Sequence, residues 1–235
     1  MYVIDEVQSY DVATAIDMSP NSLLFQEAML TFVAHVVSEP AFDQLRTKQQ
    51  LGYIVHTAIK RFGNTAALHI IVQSSHKNPH FLNARIEEFL TEFCTVQLPA
   101  FTEVEMKTNI HAVLESLLEK PKNLNEEFNR LFAEIKTATY LFNRKKLLAD
   151  LVAQITLPAV LEFVNRYLLP NARRRKFSSQ LYSAAHAYPA ALTNTNNSLI
   201  VIQDATVFRR SMPLASVERL DASTLALSSC VDESN

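Results

Sequence analysis

Val12, Thr14 and Ile16 alternate with polar neighbours, which predicts a strand over 10–17. Ser19-Pro20 reads as a helix start, a capping residue followed by a proline whose missing N–H costs nothing there. From Leu23 to Val37 the chain is apolar nearly all round, so this helix is expected to be buried and to end at Pro40. His35 falls within it and reads as a hydrogen-bonded core histidine. A short amphipathic segment, 42–50, leads to Gly52. Strands over 53–60 and 65–74 follow, with Gly63 in or beside their turn. Leu68, Ile70 and Val72 share one face of the second strand, while His69, Ile71 and Gln73 share the other.

The next hundred residues carry helical spacing. Pro79 opens a helix with Leu82, Ile86, Phe89 and Phe93 on one stripe. Thr102 with Glu105, and Asn123 with Glu126, have the spacing of capping boxes. The first precedes the stripe Met106, Ile110, Val113, Leu117, and the second a helix to about Lys136. Helices near 142–154 and 157–168 follow, the latter with Thr156 as its cap. Strands are expected over 176–182 and 199–203, a loop over 185–198, and a polar tail over 215–235. The order strand, helix, hairpin, helices, strand predicts an α+β fold, a mostly antiparallel sheet with helices packed on one face, in a single domain over 1–214.

Composition narrows the chemistry. Only two glycines, Gly52 and Gly63, occur in 235 residues, too few for a dinucleotide fingerprint or a P-loop. A formal charge of −2 argues against nucleic acid as the main ligand. No apolar run reaches the ~20 residues of a membrane span, so no membrane partner is expected. Two cysteines, Cys94 and Cys230, make no disulfide framework, and a reducing, cytoplasmic setting is expected. The seven histidines include neither His-Glu-x-x-His nor His-x-x-Glu-His. His76 and His80 flank Pro79 and read as a solvated loop-to-helix junction, not a metal site. Arg173 to Lys176 reads as a solvated basic turn, and neither cysteine has the flanks of a nucleophile.

One segment carries chemistry of its own. Arg46 sits on a short helix, and seven residues later, across the Gly52 turn, Tyr53 opens a strand. Both are hydrogen-bond donors suited to a carbonyl oxygen or an oxyanion. An arginine paired with a surface carboxylate and a tyrosine packed on the sheet edge is the plainer alternative.

The run Glu39-Pro40-x-Phe42-x-x-Leu45-Arg46-Thr47-Lys48-x-Gln50-Leu51-Gly52-Tyr53-Ile54-Val55 resembles the last domain of the insulysin/pitrilysin-like zinc metallopeptidases, the inverted-zinc-motif family M16. Further matches are Ile71-Val72-Gln73, Pro79-His80-x-Leu82-x-x-Arg85-Ile86-Glu87-x-Phe89-Leu90, Lys120-Pro121-Lys122-x-Leu124 and Ile202-Gln203 through Phe208, Arg210, Pro213 and Leu214. The resemblance implies the family's repeated LuxS/MPP-like domain, in enzymes whose homologous domains close around peptides. It further implies that Arg46 and Tyr53 face the scissile peptide and that Phe42 lines the substrate pocket. Zinc is expected in the parent enzyme, on an N-terminal half that partners this domain, and not in this chain. The chain is thus expected to be a C-terminal fragment, inactive alone, with peptide substrates as ligands of the assembled protein. Two other readings share the fold: a non-catalytic scaffold homologue like the core subunits of respiratory complexes, and a protein-interaction module. A His-x-x-Glu-His motif in the parent's first domain separates the first reading from these.

Overall fold

The computed structural model describes residues 2–3, 23–62, 65–137, 139–170, 174–183, 202 and 204–211. The expected strand over 10–17, Gly63, the 185–198 loop, the 215–235 tail and Cys230 lie outside them, as does all of 199–203 but Ile202. The backbone divides into two units. The first comprises Met1–Tyr10 and Thr14–Gln180, the second Asp11–Ala13 and Leu181–Asn235.

The first unit is α+β. Its strands β1 (Tyr2–Val3), β2 (Ile54–Phe62), β3 (Thr65–Gln73) and β4 (Arg175–Lys176) form one antiparallel sheet in the order β2-β3-β1-β4. The hairpin β2–β3 is its long part, in register from Ile54 opposite Gln73 to Phe62 opposite Thr65. Alternation sets the buried side: Val55, Leu68 and Ile70 are buried and Ile59 and Val72 pack on the core, while His56, Ile71 and Gln73 are exposed. The strand expected over 176–182 shrinks to Arg175–Lys176. Phe177 and Leu181 are exposed, so that stretch has no apolar face to seat on a sheet.

The helices are α1 (Leu23–Ala41), α2 (Pro79–Glu92), α3 (Glu103–Leu118), α4 (Leu124–Lys136), α5 (Arg144–Val152) and α6 (Leu157–Tyr167). None among the described residues is long and apolar enough to cross a membrane alone. Helix α1 is the spine of the core, with Met29, Leu30, Phe32, Val33 and Val37 almost wholly buried. Pro40 does not end it. Ala41 and Leu45 are fully buried, and the chain stays wound beyond the proline as a wider π-helical turn over Phe42–Lys48. The core anchors beyond Pro40 outweigh the one backbone hydrogen bond the proline removes. His35 is exposed rather than a core histidine, because it lies on α1's narrow outward stripe with Thr31 and Ser38.

Among the described residues, caps follow the sequence with two exceptions, at Asn123 and Thr156. Asn78 accepts from the Phe81 N–H (2.8 Å) with Pro79 in the first turn of α2, and Thr102 and Glu105 make both bonds of a capping box. Asn123 accepts from the Glu126 N–H (2.9 Å), but the Glu126 carboxylate takes the N–H of Lys122 instead of that of Asn123, leaving the box half made. Thr156 precedes α6 without a side-chain capping bond. Helix α4 buries only Glu134; its apolar residues Leu124, Phe128, Phe132 and Ile135 are exposed, with the two phenyl rings stacked at 5.3 Å.

Burying Glu134 is possible because Arg144, itself 7% exposed, donates to it twice, from Nε (2.7 Å) and Nη2 (2.9 Å), while Nη1 donates to Glu27 (2.7 Å). Arg61 pairs with Glu27 as well, and Thr139 donates to Glu134 (2.6 Å). This buried network ties α1, β2, α4 and α5 together. In the second unit, helix α7 (Ala205–Ser211) is capped by Asp204, which accepts from the N–H groups of Thr206 and Val207.

Candidate functional site

The π-helical turn after α1 places the site. Leu45 is fully buried and fixes the turn against the core, which leaves Phe42 and Arg46, four residues apart, on its outer side. The turn closes through hydrogen bonds from the Gln49 N–H to the Gln44 carbonyl and from the Leu51 N–H to the Leu45 carbonyl, both 3.0 Å. Gln50, at φ 50°, reverses the chain in the left-handed region. Gly52 then crosses the end of β3 at a distance that no side chain permits, since a Cβ there would lie 2.0 Å from the Gln73 carbonyl oxygen. Tyr53 emerges from that crossing directly ahead of β2.

Three side chains meet there. The Arg46 guanidinium carbon lies 4.8 Å from the Phe42 ring centroid and 5.4 Å from that of Tyr53. Tyr53 is 81% exposed and Phe42 42%. Asp43, the nearby carboxylate on the same turn, is taken by Lys48 (2.8 Å), a hydrogen bond that raises the Lys48 pKa. Arg46 has no carboxylate partner among the described residues, and the Tyr53 hydroxyl has no hydrogen-bond partner among them. An aromatic-flanked guanidinium beside an open phenol can donate several hydrogen bonds to carbonyl groups brought from outside.

Elsewhere the chemistry is structural. His76 contacts Ser75 (3.3 Å) and His80 is exposed on α2. Among the described residues, no group of three or more His, Cys, Asp or Glu could hold a metal ion. Cys94 is buried, which pushes its thiol up to about 12, out of the nucleophilic range. The basic run is not a solvated turn. The Arg174 side chain is 9% exposed and donates to Glu87 of α2 at 2.5 and 2.7 Å, and Lys176 pairs with the same carboxylate. Burial would raise the Glu87 pKa, but the Arg174 and Lys176 hydrogen bonds outweigh it and hold the carboxyl at about 2. A cleft lined by Gln44, Gln49 and Arg85 was not legible in the sequence, because residue spacing does not announce a concavity between two separate helices.

The family described as PQQ synthase PqqF-like, C-terminal lobe domain 4, matches residues 32–132, which includes this site. The chain is 32% identical over 182 residues to the peroxisomal insulin-degrading enzyme-like 1 of Arabidopsis thaliana, covering 76% of this chain and 19% of that protein. It is 36% identical to the A-factor-processing enzyme of Saccharomyces cerevisiae (71% and 15%) and 33% identical to the insulin-degrading enzyme of Homo sapiens (64% and 14%). Among solved structures it resembles the crystal structure of pitrilysin, with a TM-score of 0.51 and 25% identity, over 70% of this chain and 16% of that one. The chain thus spans a fifth or less of the length of these relatives. Sequence and fold agree: the chain is similar to the C-terminal domain of the insulysin/pitrilysin-like (M16) metallopeptidases.

Proposed function

We propose that this chain is the substrate-facing last domain of a zinc metalloendopeptidase, working against an N-terminal half that holds the metal. The observation that carries the reading is the convergence of Phe42, Arg46 and Tyr53 on one exposed patch, with the guanidinium free of any carboxylate among the described residues. The described residues offer no metal-ligand group, so no metal step is assigned to them. Their contribution is hydrogen bonding. As a peptide carbonyl is attacked its oxygen gains negative charge, and the Tyr53 hydroxyl donates to that oxygen. Arg46 donates to neighbouring backbone carbonyls and so fixes the register of the peptide, while the Phe42 ring offers an apolar wall to a side chain.

The test compares the 235-residue chain with a longer protein that joins it to a half bearing His-x-x-Glu-His. The chain alone is expected to cleave no peptide, and the longer protein to cleave peptides with a dependence on Arg46. Equal cleavage by an Arg46→Ala variant of the longer protein overturns the reading in favour of a scaffold.

A further inference from the structure

The π-helical turn Phe42–Lys48 carries one carboxylate, Asp43, and two cations, Arg46 and Lys48. Which cation takes the carboxylate decides whether Arg46 is free to meet anything else. In an α-helix the neighbours of a residue lie three and four places on, so Asp43 would face Arg46 and leave Lys48 on another side. Here the chain is wound wider. The Gln49 N–H donates to the Gln44 carbonyl five places back (3.0 Å), the spacing of a π-helical bond. Five places on from Asp43 is Lys48, and the two pair at 2.8 Å. Four places on from Phe42 is Arg46, whose guanidinium stands over the Phe42 ring. The winding thus sorts the charges, with the ion pair on one side of the turn and the free guanidinium on another.

As a source of stability the pair is minor, because the Lys48 and Asp43 side chains are 65% and 48% exposed. What it does is occupy Asp43. The hydrogen bond to Asp43 raises the Lys48 pKa, and Glu92 of α2 adds a weaker pull in the same direction, so Lys48 is a permanent cation there. Arg46 has no such partner and is held by two rings alone, at 4.8 Å from Phe42 and 5.4 Å from Tyr53. An exposed cation–π contact is no stronger than a charge-assisted hydrogen bond to a carboxylate. With Lys48 gone, the cation remaining on the same turn as Asp43 is Arg46, and pairing them draws the guanidinium off Tyr53.

We propose that Lys48 is a positioning residue for Arg46: by occupying Asp43 across the π-helical turn it keeps the guanidinium between Phe42 and Tyr53 and open to a peptide carbonyl. The second half of that statement rests on the function proposed above; the placement of Arg46 does not, and is measurable without substrate. The two members of the ion pair are therefore unequal. Losing Lys48 releases a carboxylate that captures Arg46, whereas losing the Asp43 charge releases nothing that does. A pair that merely braced the turn would be equally sensitive at both ends.

The test follows the Arg46 Nε–H signal and its contacts to the Tyr53 ring by NMR in the isotope-labelled 235-residue chain. Lys48→Met should shift that signal out of the field of the two rings and remove the contacts. Adding Asp43→Asn to Lys48→Met should restore both, and Asp43→Asn alone should leave them in place, as should Lys48→Arg. An Arg46 signal unmoved by Lys48→Met, or not restored by Asp43→Asn, overturns the proposal. Equal displacement by Asp43→Asn alone overturns it too, and assigns the pair to bracing the turn. Lys48→Gln takes the place of Lys48→Met should the latter lose its fold. In a longer protein that joins this chain to a zinc-binding half, Lys48→Met should raise KM about two- to five-fold at low salt, the span of one exposed ion pair, with kcat little changed and with recovery on adding Asp43→Asn. Displacement of Arg46 in the chain without any change in KM would count against the proposed function and leave the placement of Arg46 by Lys48 standing.

Discussion

The Arg46 guanidinium carbon stands 5.4 Å from the ring centroid of Tyr53, its neighbour across a left-handed Gln50 and a crossing glycine. That relationship makes the two side chains a unit and predicts separable losses. In the longer protein proposed above, which would join this chain to a zinc-binding half, Tyr53→Phe keeps the ring against Arg46 and removes only the hydroxyl. It should lower kcat by about 10²–10³, or ~2.7–4 kcal/mol, with zinc content and unfolding temperature unchanged. Arg46→Ala should raise KM as well, since it removes contacts made before the transition state. Unchanged kcat in Tyr53→Phe would show that the phenol touches no developing charge.

Gly52 is predicted to be irreplaceable for a reason unrelated to its φ. A Cβ would sit 2.0 Å from the Gln73 carbonyl oxygen and 2.7 Å from its carbon, both backbone atoms of β3. Neither atom can swing aside as a side chain could, so Gly52→Ala must push the turn off the strand. Overpacking of this kind costs ~1–3 kcal/mol, and the displacement carries Tyr53 away from Arg46. Urea denaturation of the variant should show the loss of stability, and a crystal structure the displacement. An unchanged midpoint together with unchanged Tyr53 geometry would contradict the steric argument.

Much of this fold was legible because the informative signals are local. The alternation in β3, the proline that opens α2, the capping box at Thr102 and the stripe from Leu82 to Phe93 are each written within about a turn or a strand. Arg46 and Tyr53 could be singled out because seven residues and one glycine separate them. What escaped depends on distant partners. Pro40 continues its helix only because Ala41 and Leu45 find the core beyond it. The basic run is paired instead of solvated because Glu87 lies 87 residues earlier in the chain. Glu27 and Arg144, 117 residues apart, give no sign in sequence that they share a buried site.

That buried site predicts an asymmetric response. Arg144 satisfies Glu134 with two bonds and Glu27 with one, and removing it leaves two carboxylates in the interior with the half-exposed Arg61 as their remaining cationic partner among the described residues. Burial by itself would raise the Glu134 pKa; the Arg144 and Thr139 bonds reverse this and lower it. Arg144→Leu should therefore destabilise by ~3–5 kcal/mol, the usual cost of stranding a buried charge. Adding Glu27→Gln and Glu134→Gln should recover part of that loss, because the stranded charges are gone. Chemical denaturation of the single and triple variants checks this, and a triple variant less stable than the single one would refute it.

The pH dependence centres on Glu87. Its carboxyl is held at about 2 in the folded protein by Arg174 and Lys176, against an ordinary value of 4.5. A carboxyl whose folded pKa lies below its unfolded one binds more protons unfolded, so its stabilisation is present in full above the unfolded value. It is lost as pH falls from about 4.5 towards about 2. A full shift of this size corresponds to roughly 3 kcal/mol, and the side chain's partial exposure to solvent brings the expected figure down to ~2 kcal/mol. Glu87→Gln cannot titrate and keeps only a neutral acceptor for Arg174. It should be less stable than the unaltered chain at pH 6, and the gap should close as pH falls below 4. Denaturation midpoints of the two proteins at matched ionic strength measure this difference, cancelling the titration of the other carboxylates. A gap that stays constant from pH 6 to pH 3 would mean that Arg174 and Lys176 hold Glu87 by geometry alone, with no charge preference. The anchoring of β4 to α2 would then be a packing effect.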